Sequence, residues 1–384
     1  MTPAARIQTA IEILDEIVGG APAERSLTRW ARSARHAGSK DRAAVRDLVF
    51  DILRRWWSSA VRGGNLSGRA RMIGYLRETG GDLDAIFTGA RYAPAPLTDA
   101  EILAGDEPEG SDRFDAPDWL LPQLRQSLGD DCDAVLEALR HRAPVHVRVN
   151  TRRMSRDEAR EALAAEDIAS QPAALCDTAL DITSNPRRLQ STQAYRDGTI
   201  ELQDAASQAI VDLLPLSGAQ MVLDYCAGGG GKTLAMAARH DATYHAHDAD
   251  PKRLADLPER AIRAGVRVDL RQTSALEVAY DLVLTDVPCS GSGAWRRAPE
   301  GKIRFMPERL DQLADLQSRI LGDAWARVRP GGHLAYATCS LLDAENGDQV
   351  ARFLGSHDAQ PVVERRFTPL DGGDGFFCAV LKKL

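Results

Sequence analysis

Residues 221–233 read MVLDYCAGGGGKT: a short apolar run, the acid Asp224, four glycines from Gly228 to Gly231, then Lys232 and Thr233. The apolar run has the length of a buried strand, and the residues after the glycines open a helix. Four consecutive glycines carry a large backbone entropy cost. Between a strand and a helix they let main chain approach a ligand closely. Two ligand classes compete. A phosphate-binding P-loop needs Gly-x4-Gly-Lys-Ser/Thr. Counting back from Gly231-Lys232, its entry glycine would stand at 226, where the chain has Cys226. Asp286 is followed by Val-Pro-Cys rather than a Walker-B-like sequence. A nucleoside cofactor without a pyrophosphate is the reading that remains. Asp248 or Asp250, at the end of the next strand, would bond its ribose hydroxyls.

Working outward, residues 221–226, 244–249, 281–287 and 333–339 are strand candidates separated by helical stretches. This alternation predicts an α/β domain with a parallel, doubly wound sheet. Ligands gather at the carboxyl ends of such strands. Asp224, Asp248, Asp286, Cys289 and Cys339 all fall there. Upstream the period changes. Residues 145–150, 179–183 and 199–204 read as strands, and Ser155 with Glu158 forms a capping box for a helix through Ala165. A small α+β subdomain fits this order. Further upstream the pattern is helical. Ile7, Ala10, Ile11, Leu14, Ile17 and Val18 form one apolar stripe. A second helix is expected to start at an N-cap Ser39, bury Val45, Leu48, Val49, Ile52, Leu53 and Trp56, and stop at Gly63-Gly64. Residues 93–117, rich in Pro, Gly and acids, read as a connector or a loop packed on the surface.

The 384 residues suit two or three domains, and 44% hydrophobic with 27% charged residues is an ordinary globular composition. No apolar run is long enough to span a bilayer, and the acids near the N-terminus argue against a signal peptide. The expected compartment is the cytoplasm, with no membrane partner. The six cysteines include no CxxC pair, so neither a disulfide framework nor structural zinc is expected. His240, His245 and His247 lack a matching partner set and read as surface and strand histidines. The net charge of −7 argues mildly against a generic nucleic-acid coat. From Arg25 to Arg55, however, nine Lys/Arg face three acids, Asp41, Asp47 and Asp51. That charge suits either a solvated helical face or a phosphate-binding one, with Arg29, Arg32 and Arg35 as the candidate RNA contacts. Trp57 could stack on bases, whereas helical spacing puts Trp56 in the core.

Two further motifs carry chemistry: Asp286-Val-Pro-Cys289-Ser-Gly-Ser-Gly293 and Thr338-Cys339-Ser340. A single buried cysteine is usually a small hydrophobe. Two at strand ends, each followed by serine, suit a thiolate that attacks an electron-poor ring carbon. Carbon 5 of a pyrimidine is a poor nucleophile. Thiolate addition at carbon 6 makes it enamine-like and able to attack a methyl sulfonium. Chemistry alone allows either cysteine to be the nucleophile.

LDYCAGGGGKT, TDVPCSGSGAWRRAPE, AYATCSLLDAENGDQV and DGFFCAVLKK together resemble the Sun/RsmB family of RNA cytosine-5 methyltransferases. Gln203-Asp204 with Ser207-Gln208 resembles the preceding segment, and SKDRAAVRDLVFDILR resembles the NusB-like helical domain of the bacterial 16S rRNA branch. The resemblance implies three parts. They are an all-helical NusB-like RNA-binding domain with its connector (1–140), a small α+β subdomain (141–207) and a Rossmann-like class I methyltransferase domain (208–384). It implies Cys339 as nucleophile, Cys289 in product release, and Asp286 at the target base and the cofactor. S-adenosylmethionine would be held by Cys226, Ala227, Gly228, Gly229, Gly230, Gly231, Lys232 and Asp248, with Ser274 where an acid usually meets the adenine. Arg296 and Arg297 match a basic pair near the RNA, the partner being 16S rRNA and the protein a monomer. The chain departs from the family pattern in having Gly228-Gly229 for Ala-Pro, and in having Glu277 near but shifted from the adenine-binding acid. The rival reading is a non-catalytic RNA-binding or ribosome-assembly factor that keeps the fold.

Overall fold

The computed structural model describes residues 1–276 and 279–384. It divides into two compact units, Met1–Arg142 with Trp295–Pro307, and Ala143–Ala294 with Glu308–Leu384. The segment Trp295–Pro307, which sequence reading leaves in the catalytic domain, therefore clusters with the N-terminal helices.

The first unit is built on helices α1 (Pro3–Val18), α2 (Ala23–Ser33), α3 (Ser39–Arg54), α4 (Trp56–Gly63) and α5 (Gly68–Thr79). Thr2 caps α1, its hydroxyl accepting from the Ala5 amide at 3.1 Å, and Pro3 begins the helix with its φ already set. The expected stripe is buried from Ile7 to Ile17, but Val18 is exposed. On α3, Val45, Val49, Ile52 and Leu53 are fully buried. Its cap differs from expectation. Ser39 is the first helical residue, Gly38 is the N-cap, and the Asp41 carboxylate accepts the Gly38 amide at 3.2 Å. Nor does α3 run on to Gly63. It breaks at Arg55 because α4 has a cap of its own, supplied from the acid-rich stretch. Asp115, fully buried, accepts from the Trp57 and Ser58 amides at 2.9 Å each and from Arg140 Nε at 2.8 Å. Gly64, in the left-handed region at φ +73°, ends α4. Trp295–Pro307 joins this core through Ile303, while Lys302 Nζ donates to the Arg54 carbonyl at 3.0 Å and Glu300 accepts the Ala23 amide at 3.1 Å.

In the second unit, the described residues form two sheets. The smaller joins β1 (His146–Val149), β2 (Ser170–Pro172), β3 (Ala179–Ile182) and β4 (Ile200–Leu202) in the order β2-β3-β1-β4, all antiparallel. The helix Arg156–Ala165 packs on it through Ala159 and Leu163, and its Ser155–Glu158 capping box is present as read. The larger sheet joins β5 (Met221–Asp224), β6 (Thr243–Ala246), β7 (Asp269–Leu270), β8 (Tyr280–Asp286), β9 (Val328–Thr338), β10 (Ala359–Phe367) and β11 (Phe376–Lys383). Its order is β10-β11-β9-β8-β5-β6-β7. The run from β9 to β7 is parallel, while β11 is antiparallel to both β9 and β10. The sheet is thus a mixed Rossmann-like sheet rather than a purely parallel one, because the last two strands form a hairpin whose second arm slots beside β9. The central strands are buried on both faces. Val222, Leu282 and Leu284 enter one apolar cluster, and Leu223 and Val283 the opposite one.

Candidate active site

At the carboxyl end of β5 the chain turns through Gly228 (φ +51°) and Gly230 (φ +77°) into the helix Gly231–Arg239. Both glycines use a backbone region that favours residues without a Cβ. Asp224 is buried at the strand end. Its Oδ2 accepts the Thr233 hydroxyl at 2.7 Å, and its Oδ1 is buried with no partner among the described residues. Burial pushes its carboxyl up to about 7, against the help of Thr233. Asp248 lies opposite the loop, as the sequence suggests, with both oxygens engaged. Oδ2 accepts the Gly228 amide at 3.0 Å and pairs with Arg253 at 3.2 Å, while Oδ1 accepts the Asp250 amide at 3.0 Å. Asp250 instead accepts the Lys252 amide at 3.1 Å in an exposed turn. Ala227 donates to the His247 carbonyl at 2.9 Å, so the loop is strapped to the chain following β6. Ser274 is exposed in a turn after β7, and Glu277 lies outside the described residues. The Cys226 thiol is driven well up by burial and by the surrounding acids, so it stays protonated beside the loop.

The two cysteines meet. Cys289 follows β8 and Cys339 follows β9, two adjacent parallel strands, and their sulfurs lie 3.3 Å apart. Contact with the Cys339 sulfur and burial push the Cys289 thiol well above its ordinary value, so it keeps its proton. The loops that carry them are laced together. The Gly293 amide donates to the Cys339 carbonyl at 3.0 Å, and the Leu341 amide to Ser292 Oγ at 2.8 Å. Lys232, buried at the helix start, donates to Asp286 Oδ2 at 2.6 Å. Burial works against its charge, but Asp286 outweighs that and holds the ammonium above the ordinary lysine value. The arrangement joins a proton-bearing thiol, a second thiol and a fixed ion pair at one end of the sheet.

Sequence reasoning missed Glu345. It is fully buried and accepts from the Ser290 amide (2.8 Å), the hydroxyls of Ser290 and Ser340 (2.5 Å each) and Gln317 Nε2 (3.0 Å). Its only signal was its place inside the AYATCSLLDAENGDQV motif. In the first unit, Arg29, Arg32 and Arg35 are exposed, with Arg29 paired to Glu16. Arg297 is exposed too. Arg296, expected with Arg297 as a basic pair near the RNA, is buried, and its carbonyl accepts from Arg54 Nε at 2.7 Å. The strand histidines do structural work. His245 bonds Tyr280 at 2.8 Å, and His247 bonds the Tyr225 carbonyl at 2.7 Å and Thr273 at 2.9 Å.

The family model of the 16S rRNA methyltransferases RsmB/F matches residues 211–382, and that of the ferredoxin-like domain of RsmF/B-like methyltransferases matches residues 116–187. Over these two stretches the chain is similar to the RsmB/F methyltransferases. Ribosomal RNA small subunit methyltransferase B of Enterobacter sp. (strain 638) is 29% identical over 90% of this chain and 91% of that relative. The protein of the same description from Yersinia pestis bv. Antiqua (strain Angola) is 29% identical over 91% and 92%. Among solved structures, a methyltransferase homolog protein from Pyrococcus horikoshii superposes with a TM-score of 0.63 at 26% identity, covering 71% of this chain and 97% of its own. The RsmB/Sun match takes in the glycine loop, Asp286, both cysteines and Glu345.

Proposed function

We propose that this protein is an rRNA methyltransferase that methylates carbon 5 of a cytosine in small-subunit rRNA, with Cys339 as nucleophile and Cys289 assisting release. The observation that carries the reading is the 3.3 Å approach of the two sulfurs beside the Lys232–Asp286 pair. The Cys339 thiolate adds to carbon 6 of a cytosine taken out of its stack, and carbon 5 becomes nucleophilic. S-adenosylmethionine, when bound, supplies the electrophilic methyl group. Elimination then requires transfer of the carbon-5 proton to a base, which solvent water can supply, and departure of the Cys339 sulfur. Cys289, a protonated thiol 3.3 Å away, stabilises that sulfur as it leaves. Lys232 holds the Asp286 carboxylate in place toward the base.

The residues around the loop fit the cofactor. Gly228 and Gly230 let the main chain come close, and the buried Asp224 Oδ1, without a partner among the described residues, is left for a polar group of the ligand. Asp248 shapes the loop and lines the ribose side. Arg29, Arg32, Arg35 and Arg297 are the RNA contacts, and the substrate is 16S rRNA. The test is to incubate the full chain with protein-free 16S rRNA and methyl-labelled cofactor, then map 5-methylcytosine by bisulfite sequencing. One labelled cytosine, unconverted by bisulfite, is expected. Label on another atom would overturn the carbon-5 assignment, and no transfer with cofactor bound would return the non-catalytic reading.

A further inference from the structure

The glycine loop carries no side chains at 228 and 229, and the structure has something in that space. A Cβ built on Gly229 would lie 2.9 Å from Arg260 Nη1, and one on Gly228 3.2 Å from Arg253 Nη2. Arg260 does more than fill the gap. Its Nη1 donates to the Gly229 carbonyl. Its Nη2 pairs at 3.3 Å with Glu201, a buried carboxylate on β4 that also accepts from Arg263 at 3.0 and 3.1 Å. A second arm comes from β1, where buried Arg148 donates to the Gly231 carbonyl at 2.7 Å and to Gln203 at 2.5 Å. Two strands of the small sheet thus brace the Gly229 and Gly231 carbonyls of one loop, β4 through Arg260 and β1 through Arg148 directly.

We propose that Arg260 is a positioning residue for the cofactor loop, held by Glu201 and standing in for the side chains that Gly228-Gly229 lack. Glycine at both positions widens the set of loop conformations, only one of which matches a bound nucleoside. A proline at 229 would narrow that set by fixing φ. Here a charge-assisted hydrogen bond from outside the loop does so. Gly229 is not in the left-handed region, and its N–H has no partner among the described residues, so a proline there removes no hydrogen bond. With Arg260 in place, however, a proline ring would meet the guanidinium. The inference rests on the loop being the S-adenosylmethionine site.

Calorimetry of the full chain with S-adenosylmethionine tests it. Arg260→Ala should raise Kd roughly tenfold, with turnover at saturating cofactor little changed. Adding Gly229→Pro to Arg260→Ala should recover most of the affinity. Gly229→Pro alone should bind poorly. Should Arg260→Ala fail to fold, Arg260→Lys, which keeps the charge toward Glu201 and loses the fork, should bind with intermediate affinity. An unchanged Kd in either arginine variant, or a double variant no better than Arg260→Ala, overturns the proposal. An unmodified chain that binds no S-adenosylmethionine would overturn the cofactor reading and the proposal with it.

Discussion

Ser290 and Ser340, the residues that directly follow the two cysteines, donate their hydroxyls to the same oxygen of Glu345, each at 2.5 Å. The carboxylate is fully buried, and its other oxygen takes the Ser290 amide and Gln317. One side chain therefore sets the spacing between the loops, and so between the sulfurs. Glu345→Ala strips these buried donors of their shared carboxylate and should cost about 3 kcal/mol of stability. Single-turnover methyl transfer should fall more than about tenfold, since small displacements of reacting groups are expensive. Glu345→Gln should retain most of the stability. Denaturant unfolding and rapid quench measure the two effects, and a normal rate in a folded Glu345→Ala protein would deny it the spacing role.

The cysteines should separate by variant. Cys339→Ala should abolish methyl transfer and any covalent adduct with RNA. Cys289→Ala should attack and transfer but release slowly, accumulating a protein–RNA adduct that survives denaturing electrophoresis. An adduct trapped in Cys339→Ala would reverse the roles. Turnover retained in both variants would end thiolate catalysis.

Asp224 should leave a mark on stability against pH. Its carboxyl is raised to about 7 by burial, so the folded protein holds this proton more tightly than the unfolded chain does. The sign follows: its contribution is complete below the unfolded value near 4 and is lost as pH rises through 7. Relative to Asp224→Asn, the unmodified chain should lose on the order of 3 kcal/mol between pH 4 and 7.5. Urea unfolding of both proteins across that range gives the difference, and parallel profiles would place the titration elsewhere.

Arg29, Arg32 and Arg35 stand exposed on α2 and the turn that follows it. Replacing all three with Ala should weaken RNA binding and reduce the slope of log affinity against log salt by about two to three units, less Arg29's share through its Glu16 pair. The same slope in both proteins would assign the arginines to solvation.

The parallel core was legible because strands buried on both faces read as continuous apolar runs, and each ended in a residue that chemistry notices: Asp224, Asp286, Cys339. Strand β10 was not legible. Its sequence AQPVVERRF is mostly exposed and charged, as an edge strand is. Two-residue β7 is too short for any period. Glu345 read like any surface acid, since burial of a carboxylate depends on partners from β8, β9 and the helix Pro307–Trp325 that only folding brings together. The burial of Arg296 was hidden for the converse reason: a basic pair looks the same in sequence whether or not one member is buried.

The segment Trp295–Pro307 belongs with helices made far earlier in the chain. Ile303, Lys302 and Glu300 complete that core, yet they are synthesised only after the whole stretch from 143 to 294. At ordinary elongation rates the N-terminal helices wait on the order of ten seconds for this piece. During that wait the apolar surface meant for Ile303 is open to chaperones and neighbouring chains. The helical unit precedes residues 143–294 in the chain yet closes only after they are made, as the loop that carries Cys289 emerges.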